Sequence, residues 1–313
     1  MMGWKGLGDG ISEGERALEG ILARVASWQG RPLRYRPVAG GISNTNWRVA
    51  IGGTQDYFVK MPGRGTEMFI TRDCANDASR RAHACGYGVE VVDYLPDAGV
   101  EIFAFVEGYR ASSNLDFLRP AVRHNAVHAL KAFNDSAPLG LTKTIFEMIE
   151  EHVDQVAEVG GRLPADQAYL MRCLAEAKLA MTASGLDLVP CMNDTLAGNF
   201  MIDDADRVLL VDFEYASNNE RAYELALWFD EMAFPDAIER EMIEAYFGRW
   251  SPEIEARIAV LKALGDLKWA TWAMIQEAVS TLDFDYYKYG TWKHMRARTL
   301  FHHSDWPLWL RRL

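Results

Sequence analysis

The stretch NDTLAGNFMIDDADRVLLVDFEYA, from Asn193 to Ala216, is the most restrictive passage in the chain. Two short apolar runs, FMI at 200–202 and VLLV at 208–211, flank the Asp-rich DDADR, whose side chains hydrogen-bond nearby backbone and turn a chain on itself. The pattern predicts a β-hairpin. Antiparallel pairing sets the start of the first strand opposite the end of the second, so Asn199 and Asp212 are expected as cross-strand neighbours with Cα atoms roughly 5 Å apart. Two oxygen-bearing side chains at that separation can share one hard cation, and Asp194, on the loop entering the hairpin, projects a third acidic group into the same space. Taken singly, each of these residues decorates a turn more often than it binds a metal.

The combination is more selective. The order D-x-x-x-x-N, followed by a strand ending in D-F, resembles the protein-kinase arrangement. There the first Asp receives the substrate hydroxyl proton while the Asn and the second Asp hold magnesium against the phosphates. A phosphotransferase is therefore expected. With 313 residues and 49% hydrophobic content the chain can bury the cores of two lobes. No apolar run approaches the roughly 20 residues that cross a bilayer, and MMGWKGLGDG lacks the regions of a signal peptide, so no membrane insertion and a cytoplasmic location are expected. Cys74, Cys85, Cys173 and Cys191 have no metal-site spacing and read as reduced thiols. A net charge of −11, from 44 acidic and 33 basic side chains, disfavours nucleic acid as a partner.

Along the chain, ISEGERALEGILARVASW predicts a helix capped by Ser12. RYRPVAGGISNTNWRVAIGGTQDYFVKM then alternates as three antiparallel strands. The turn between the first two carries Gly40 and Gly41, whose unhindered amides suit either an ordinary hairpin or the approach of a phosphate; Gly41, Ser43 and Asn44 are the candidates there. Lys60 ends the third strand, where a lysine usually faces water, yet its place after a glycine-rich hairpin is similar to that of the phosphate-contacting lysine of kinases. In the helix over about 72–85, Asp77, or failing that Asp73, is the expected acidic partner of Lys60. VEVVDYLP and GVEIFAFVEG add two strands, giving five strands and one helix before a boundary at Glu107–Gly108. This divides the chain into 1–108, a nucleotide-binding lobe with a hinge at its end, and 109–313, a mainly helical lobe for catalysis and substrate binding.

In KWATWAMIQEAVSTLDFDYYKYGTW, Trp269, Trp272 and Gln276 share one helical face, and Phe284, Tyr286 and Tyr289 follow. Such a stripe serves either as core packing or as a cage of π faces around a cation. From Trp269 to Tyr289 the order W-x-x-W-x-x-x-Q-x-x-x-S-x-x-x-F-x-Y-x-x-Y resembles choline/ethanolamine kinases, as do GGISNTNWRV, NDTLAGN and VDFEYASNNERAYELALWF. The broader kinase-like motifs are shared with aminoglycoside phosphotransferases. The resemblance spans roughly 37–301.

The resemblance implies an α+β, bilobal protein-kinase-like fold, an antiparallel sheet over a larger helical part, with ATP between them. It implies Lys60 on phosphate, Asp194 as base, and Asn199 and Asp212 on Mg2+. Trp269, Trp272 and Tyr286, with Tyr289 nearby, are implied to line the amine site, and Glu231 to offer a carboxylate to the ammonium. The expected partner is a small amino alcohol, choline or ethanolamine, and a homodimer is compatible with the family. One position departs from the family pattern: Met192 stands where a His usually precedes Asn-Asp. Met fills space without donating the hydrogen bond of that His, so reduced activity is expected, with a non-catalytic nucleotide and amine binder as the alternative; a separate alternative is a kinase for another amino alcohol or an aminoglycoside.

Overall fold

The computed structural model describes residues 3–38, 44–52, 55–63 and 68–313. The first part of the chain builds an antiparallel sheet from β1 (Lys5–Gly6), β2 (Leu33–Val38), β3 (Asn44–Ile51), β4 (Asp56–Pro62), β5 (Val91–Leu95) and β6 (Val100–Ala104), in the order β1-β2-β3-β4-β6-β5. Period-two alternation turns Tyr35, Trp47, Val49, Val59 and Ile102 to one face. Helix α1 (Glu13–Leu22) covers them with Leu18, Ile21 and Leu22. Ser12 caps this helix as expected, in a reciprocal capping box with Glu15. Helix α2 (Arg72–Ala84) is inserted between β4 and β5.

The sheet has six strands among the described residues rather than the expected five. The extra edge strand β1 is two residues long, too short to show alternation. Its register comes from pairing Lys5 with Tyr35 and from a 2.6 Å ion pair between Lys5 and Glu15, contacts that local sequence does not encode.

Beyond 108 the order is β7 (Arg110–Ala111), α3 (Pro120–Asn134), α4 (Ile145–Glu158), α5 (Gln167–Ser184), β8 (Leu188–Cys191), β9 (Phe200–Ile202), β10 (Val208–Leu210), β11 (Ser217–Glu220), α6 (Arg221–Met232), α7 (Asp236–Phe247), α8 (Pro252–Val279), α9 (Tyr286–Phe301) and α10 (Trp306–Arg312). Helix α8 is buried on all sides from Leu261 to Ile275 apart from Lys262, as befits a helix packed among α4, α6, α9 and α10. A second apolar cluster unites these helices and reaches back to Cys74, Ala78 and Ala82 of α2.

The expected hairpin is β9–β10, turned by the Asp203 carboxylate, which accepts from the backbone N–H of Ala205 at 3.0 Å and of Arg207 at 2.9 Å. Its register differs by one residue from the expectation. Leu210 faces Phe200, and the N–H of Val211 donates to the carbonyl of Asn199 at 2.9 Å, so Asn199 lies opposite Val211 and not Asp212. Asp212 leaves the ladder at φ 67°, a left-handed conformation uncommon outside glycine that redirects its side chain.

Candidate active site

Strands β8 and β11 pair with Ser217 opposite Cys191, fixing the base of the 192–199 loop to the exit of the 212–216 segment. Asn193 turns the loop at φ 60° and is held from three directions. Its Nδ2 donates to the Tyr215 carbonyl at 2.8 Å and to Ser217 Oγ at 2.9 Å, while its Oδ1 accepts from Asn219 Nδ2 at 2.9 Å. The backbone N–H groups of Met192 and Asn193 both donate to the fully buried Glu224 carboxylate, at 3.0 and 2.8 Å. Burial pushes Glu224 up to about 7, against the pull of those two N–H groups.

Asp194 follows, its side chain nearly buried and clamped by Asn199 Nδ2, which donates to the Asp194 carbonyl at 2.9 Å and to its Oδ2 at 3.1 Å. Burial raises the Asp194 carboxyl to about 7, and the Asp212 charge adds to the rise, while Lys268 and the Asn199 hydrogen bond oppose it. Asn199 and Asp194 therefore meet through the turn at 197–199, not across strands.

Lys60 reaches this loop from the sheet. Its Nζ lies 2.6 Å from Asp212 Oδ1 and 3.2 Å from Glu214 Oε1. Burial works against its charge, but Asp212, Glu214 and Glu101 more than offset that and hold the ammonium above the usual lysine range. Asn44 Nδ2 also binds Glu214 Oε1, at 2.9 Å. Glu101 faces Lys60 in the β4–β6 register and accepts from Asn76 Nδ2 at 3.0 Å.

Asp77 is not the partner of Lys60. Its carboxylate binds Arg81 at 2.9 Å on the outer face of α2, whose inward face carries Cys74, Ala75, Ala78 and Ala82. Asp73 is likewise elsewhere, accepting from the Tyr94 hydroxyl at 2.8 Å. Glu214 and Glu101 were missed by sequence reasoning. Glu214 stands in the DFEYA motif itself, whereas Glu101 becomes legible only once β4 and β6 are paired. Gly41 and Ser43 lie outside the described residues.

On α8 and α9 the aromatic residues form a continuous ladder. Tyr215 meets Trp269 at 5.4 Å between centroids, Trp269 meets Trp272 at 5.4 Å, and Trp272 meets Tyr286 at 5.8 Å and Tyr289 at 6.4 Å, all edge to face. Trp269, Trp272 and Tyr286 are buried, and Phe284, against Tyr286 at 4.7 Å, is 46% exposed and marks the outer end. Glu231 is not free to meet a ligand unaided. It is ion-paired with the fully buried Lys293, which also lies 3.1 Å from Asp266. Arg296 completes this network on Asp266 and Asp230.

A buried carboxylate clamped by an amide, a lysine on a second carboxylate and an aromatic ladder are thus assembled around one loop. The model of the choline/ethanolamine kinase family matches residues 36–243. The chain belongs to the choline/ethanolamine kinase family. It is 22% identical over 312 residues to probable choline kinase 2 of Arabidopsis thaliana, covering 87% of this chain and 88% of that protein. With ethanolamine kinase 2 of Mus musculus it shares 25% identity, covering 84% and 75%. A solved choline/ethanolamine kinase family protein from Mesorhizobium loti superposes with a TM-score of 0.80 at 26% identity, over 95% of this chain and 98% of that one.

A hard cation could be held here by Asn199 and Asp212. Among the described residues no group of three or more His, Cys, Asp or Glu could hold a metal unaided. Mg2+ is usually bound by one or two carboxylates and completes its shell with water and phosphate oxygens, which is what Asp212 and Asn199 can offer. Met192, the departure from the family pattern, is fully buried within the apolar cluster. Among the described residues, no helix is long and apolar enough to cross a membrane.

Proposed function

We propose that this protein is an ATP-dependent kinase that transfers the γ-phosphoryl group to the hydroxyl of choline or ethanolamine. The observation that carries the reading is the convergence of Asp194, Asn199 and the Lys60–Asp212 pair beside the Trp269–Trp272–Tyr286–Tyr289 ladder. In this reading residues 1–108 form a nucleotide-binding lobe, hinged at Glu107–Gly108 to a catalytic lobe of 109–313. Gly108 at φ 78° and the separate apolar cluster between the sheet and α1 support the division, while α2 packs its small inward face into the helical cluster across it. Free thiols at all four cysteines fit a reducing, cytoplasmic setting.

Asn199 and Asp212 would hold Mg2+, which would neutralise charge on the β- and γ-phosphates. Lys60 holds Asp212 in place and carries positive charge to the phosphates, with Asn44 bracing Glu214 alongside. Asp194 orients the substrate hydroxyl and takes its proton; a carboxyl already raised to about 7 is a stronger base than an ordinary aspartate. The ladder offers π faces to a methylated ammonium, while Glu231 and Asp230 lie beside it with Lys293 and Arg296 as counter-charges and burial raises the Asp266 carboxyl to about 8. With Glu224 bracing the Met192 and Asn193 amides, the loop is held without the family's His. This supports a catalytic protein over a passive binder.

The test is a panel of small alcohols and amines assayed for ATP-dependent phosphorylation. Turnover of choline or ethanolamine, with choline outcompeting ethanolamine if the rings dominate, is the expected result. ATP consumption that no amino alcohol raises above background would refute the proposal.

A further inference from the structure

The inner end of the aromatic ladder already holds an ammonium belonging to the protein. Lys268, on α8, is 1% exposed. Its Nζ lies 3.1 Å from the centroid of the Trp269 ring and 4.5 Å from that of Tyr215. That nitrogen has no hydrogen-bond partner. A buried ammonium without an acceptor is costly, and here the compensation comes from ring faces and from the charge of Asp194. At the outer side a second internal cation, Lys293, lies 5.9 Å from the Tyr289 ring and 5.5 Å from Trp292, but it is neutralised by Glu231 and Asp266.

We propose that Lys268 is a specificity-determining residue: its ammonium fills the Trp269–Tyr215 end of the ladder, so the subsite accepts one positive charge at the Trp272–Tyr286–Tyr289 end and rejects substrates bearing a second. The inference rests on the amino-alcohol kinase reading and narrows its substrate class to singly charged amines. Two faces of the same ladder cannot each bind a separate exogenous cation when one is already taken by Lys268 in its charged form. The Lys268 charge also repels a cation seated one ring away. At the effective dielectric of a partly buried site such repulsion costs about tenfold or more in binding. Choline and ethanolamine tolerate this because the Asp230 and Glu231 carboxylates lie toward their end. A dicationic alcohol would have to place its second charge against Lys268. Burial lowers Lys268 to about 7, with Lys293 and Lys143 acting in the same direction and Asp194 and Glu231 opposing, so the charge is present just below neutrality.

The experiment compares wild type with Lys268→Met and Lys268→Gln at pH 6.5. Three alcohols are used: choline, its uncharged carbon isostere 3,3-dimethyl-1-butanol, and the dication 1,3-diamino-2-propanol. The ratio of kcat/KM for choline to that for the isostere cancels any effect of the substitution on the chemical step. That ratio should rise about tenfold in both variants, and the diamine should change from a non-substrate to a substrate or a competitive inhibitor. A ratio unchanged or lowered in both variants, with the diamine still excluded, would overturn the proposal. If no amino alcohol is phosphorylated by any form, the kinase reading itself fails. Calorimetric binding of tetramethylammonium then decides the role of Lys268 directly: tighter binding to the variants supports it and equal or weaker binding overturns it. Both variants should fold, since Lys268 Nζ makes no hydrogen bond that its removal would orphan.

Discussion

Glu224→Ala tests whether a carboxylate on α6, rather than a loop histidine, holds the proposed catalytic loop. Ionising Glu224 inside the protein, at about 7 instead of 4.5, costs about 3 kcal/mol. The return is two buried hydrogen bonds, from the N–H groups of Met192 at 3.0 Å and Asn193 at 2.8 Å. Alanine removes the costly charge but leaves two buried donors orphaned, at about 1–3 kcal/mol each, and opens a cavity beside them. A net loss of about 2–4 kcal/mol of unfolding free energy is expected, read as a lower urea midpoint at constant m-value. Because Asn193 holds a left-handed conformation next to Asp194, loss of its anchor should also cut kcat by about 10–100-fold while the KM for ATP changes little. Glu224→Gln, which keeps one acceptor, should fall between. The folded-state pKa is raised, so the Glu224 contribution to stability is fully present below 4.5 and is lost as pH rises through 7. The stability gap between wild type and Glu224→Ala should therefore narrow from pH 5 to pH 8. An unchanged urea midpoint together with unchanged kcat would refute this account of the loop.

Asp194→Asn should abolish turnover while leaving ATP binding, followed by nucleotide fluorescence, within about threefold; retained turnover would remove Asp194 from the reaction. Since burial and Asp212 raise that carboxyl, the acidic limb of a kcat/KM profile should rise through about pH 7, and a limb centred near 4 would contradict the proposed base. Lys60→Met leaves Asp212 and Glu214 as facing carboxylates, so thermal denaturation should show a loss of about 2–3 kcal/mol and the KM for ATP should increase. Met192→His places an imidazole in a fully apolar, buried position; stability should drop by about 1–3 kcal/mol with no gain in kcat, whereas a faster enzyme would show that the loop lacks its brace.

Much of this was legible before any coordinates. Ser12 announces a helix start because an N-cap acts within its own first turn, where the structure adds Glu15 as the other half of a capping box. The three alternating strands from 33 to 62 follow from side-chain period, and the hairpin turn from the hydrogen-bonding habit of Asp203. The proximity of Asp194, Asn199 and Asp212 was visible from their spacing around two short strands, although the register that produces it was not. A one-residue shift depends on how many residues the turn takes up and on the left-handed step at Asp212, and neither has a period to betray it. Asp77 was misplaced for a related reason. Several positions on α2 are acidic or polar, and only the packing of its small inward face against α3 and the 212–216 segment decides which of them points where.

The amino-acid order by itself determined which chemical groups exist and which are near one another along the chain: the carboxylate and amide around the hairpin, the tryptophans on one helical face, and the family to which those motifs belong. Tertiary structure decided which charges share a space. It set Glu101 opposite Lys60 across two strands, Glu224 beneath the Met192 and Asn193 amides, Lys293 on Glu231, and the ammonium of Lys268 on the rings of Trp269 and Tyr215. Local patterns are governed by hydrogen bonds and periodicities of a few residues, which a sequence displays directly. Electrostatic partnership inside a core depends on distance and burial between segments far apart in the chain, and these are fixed only when the helices and sheet close on one another.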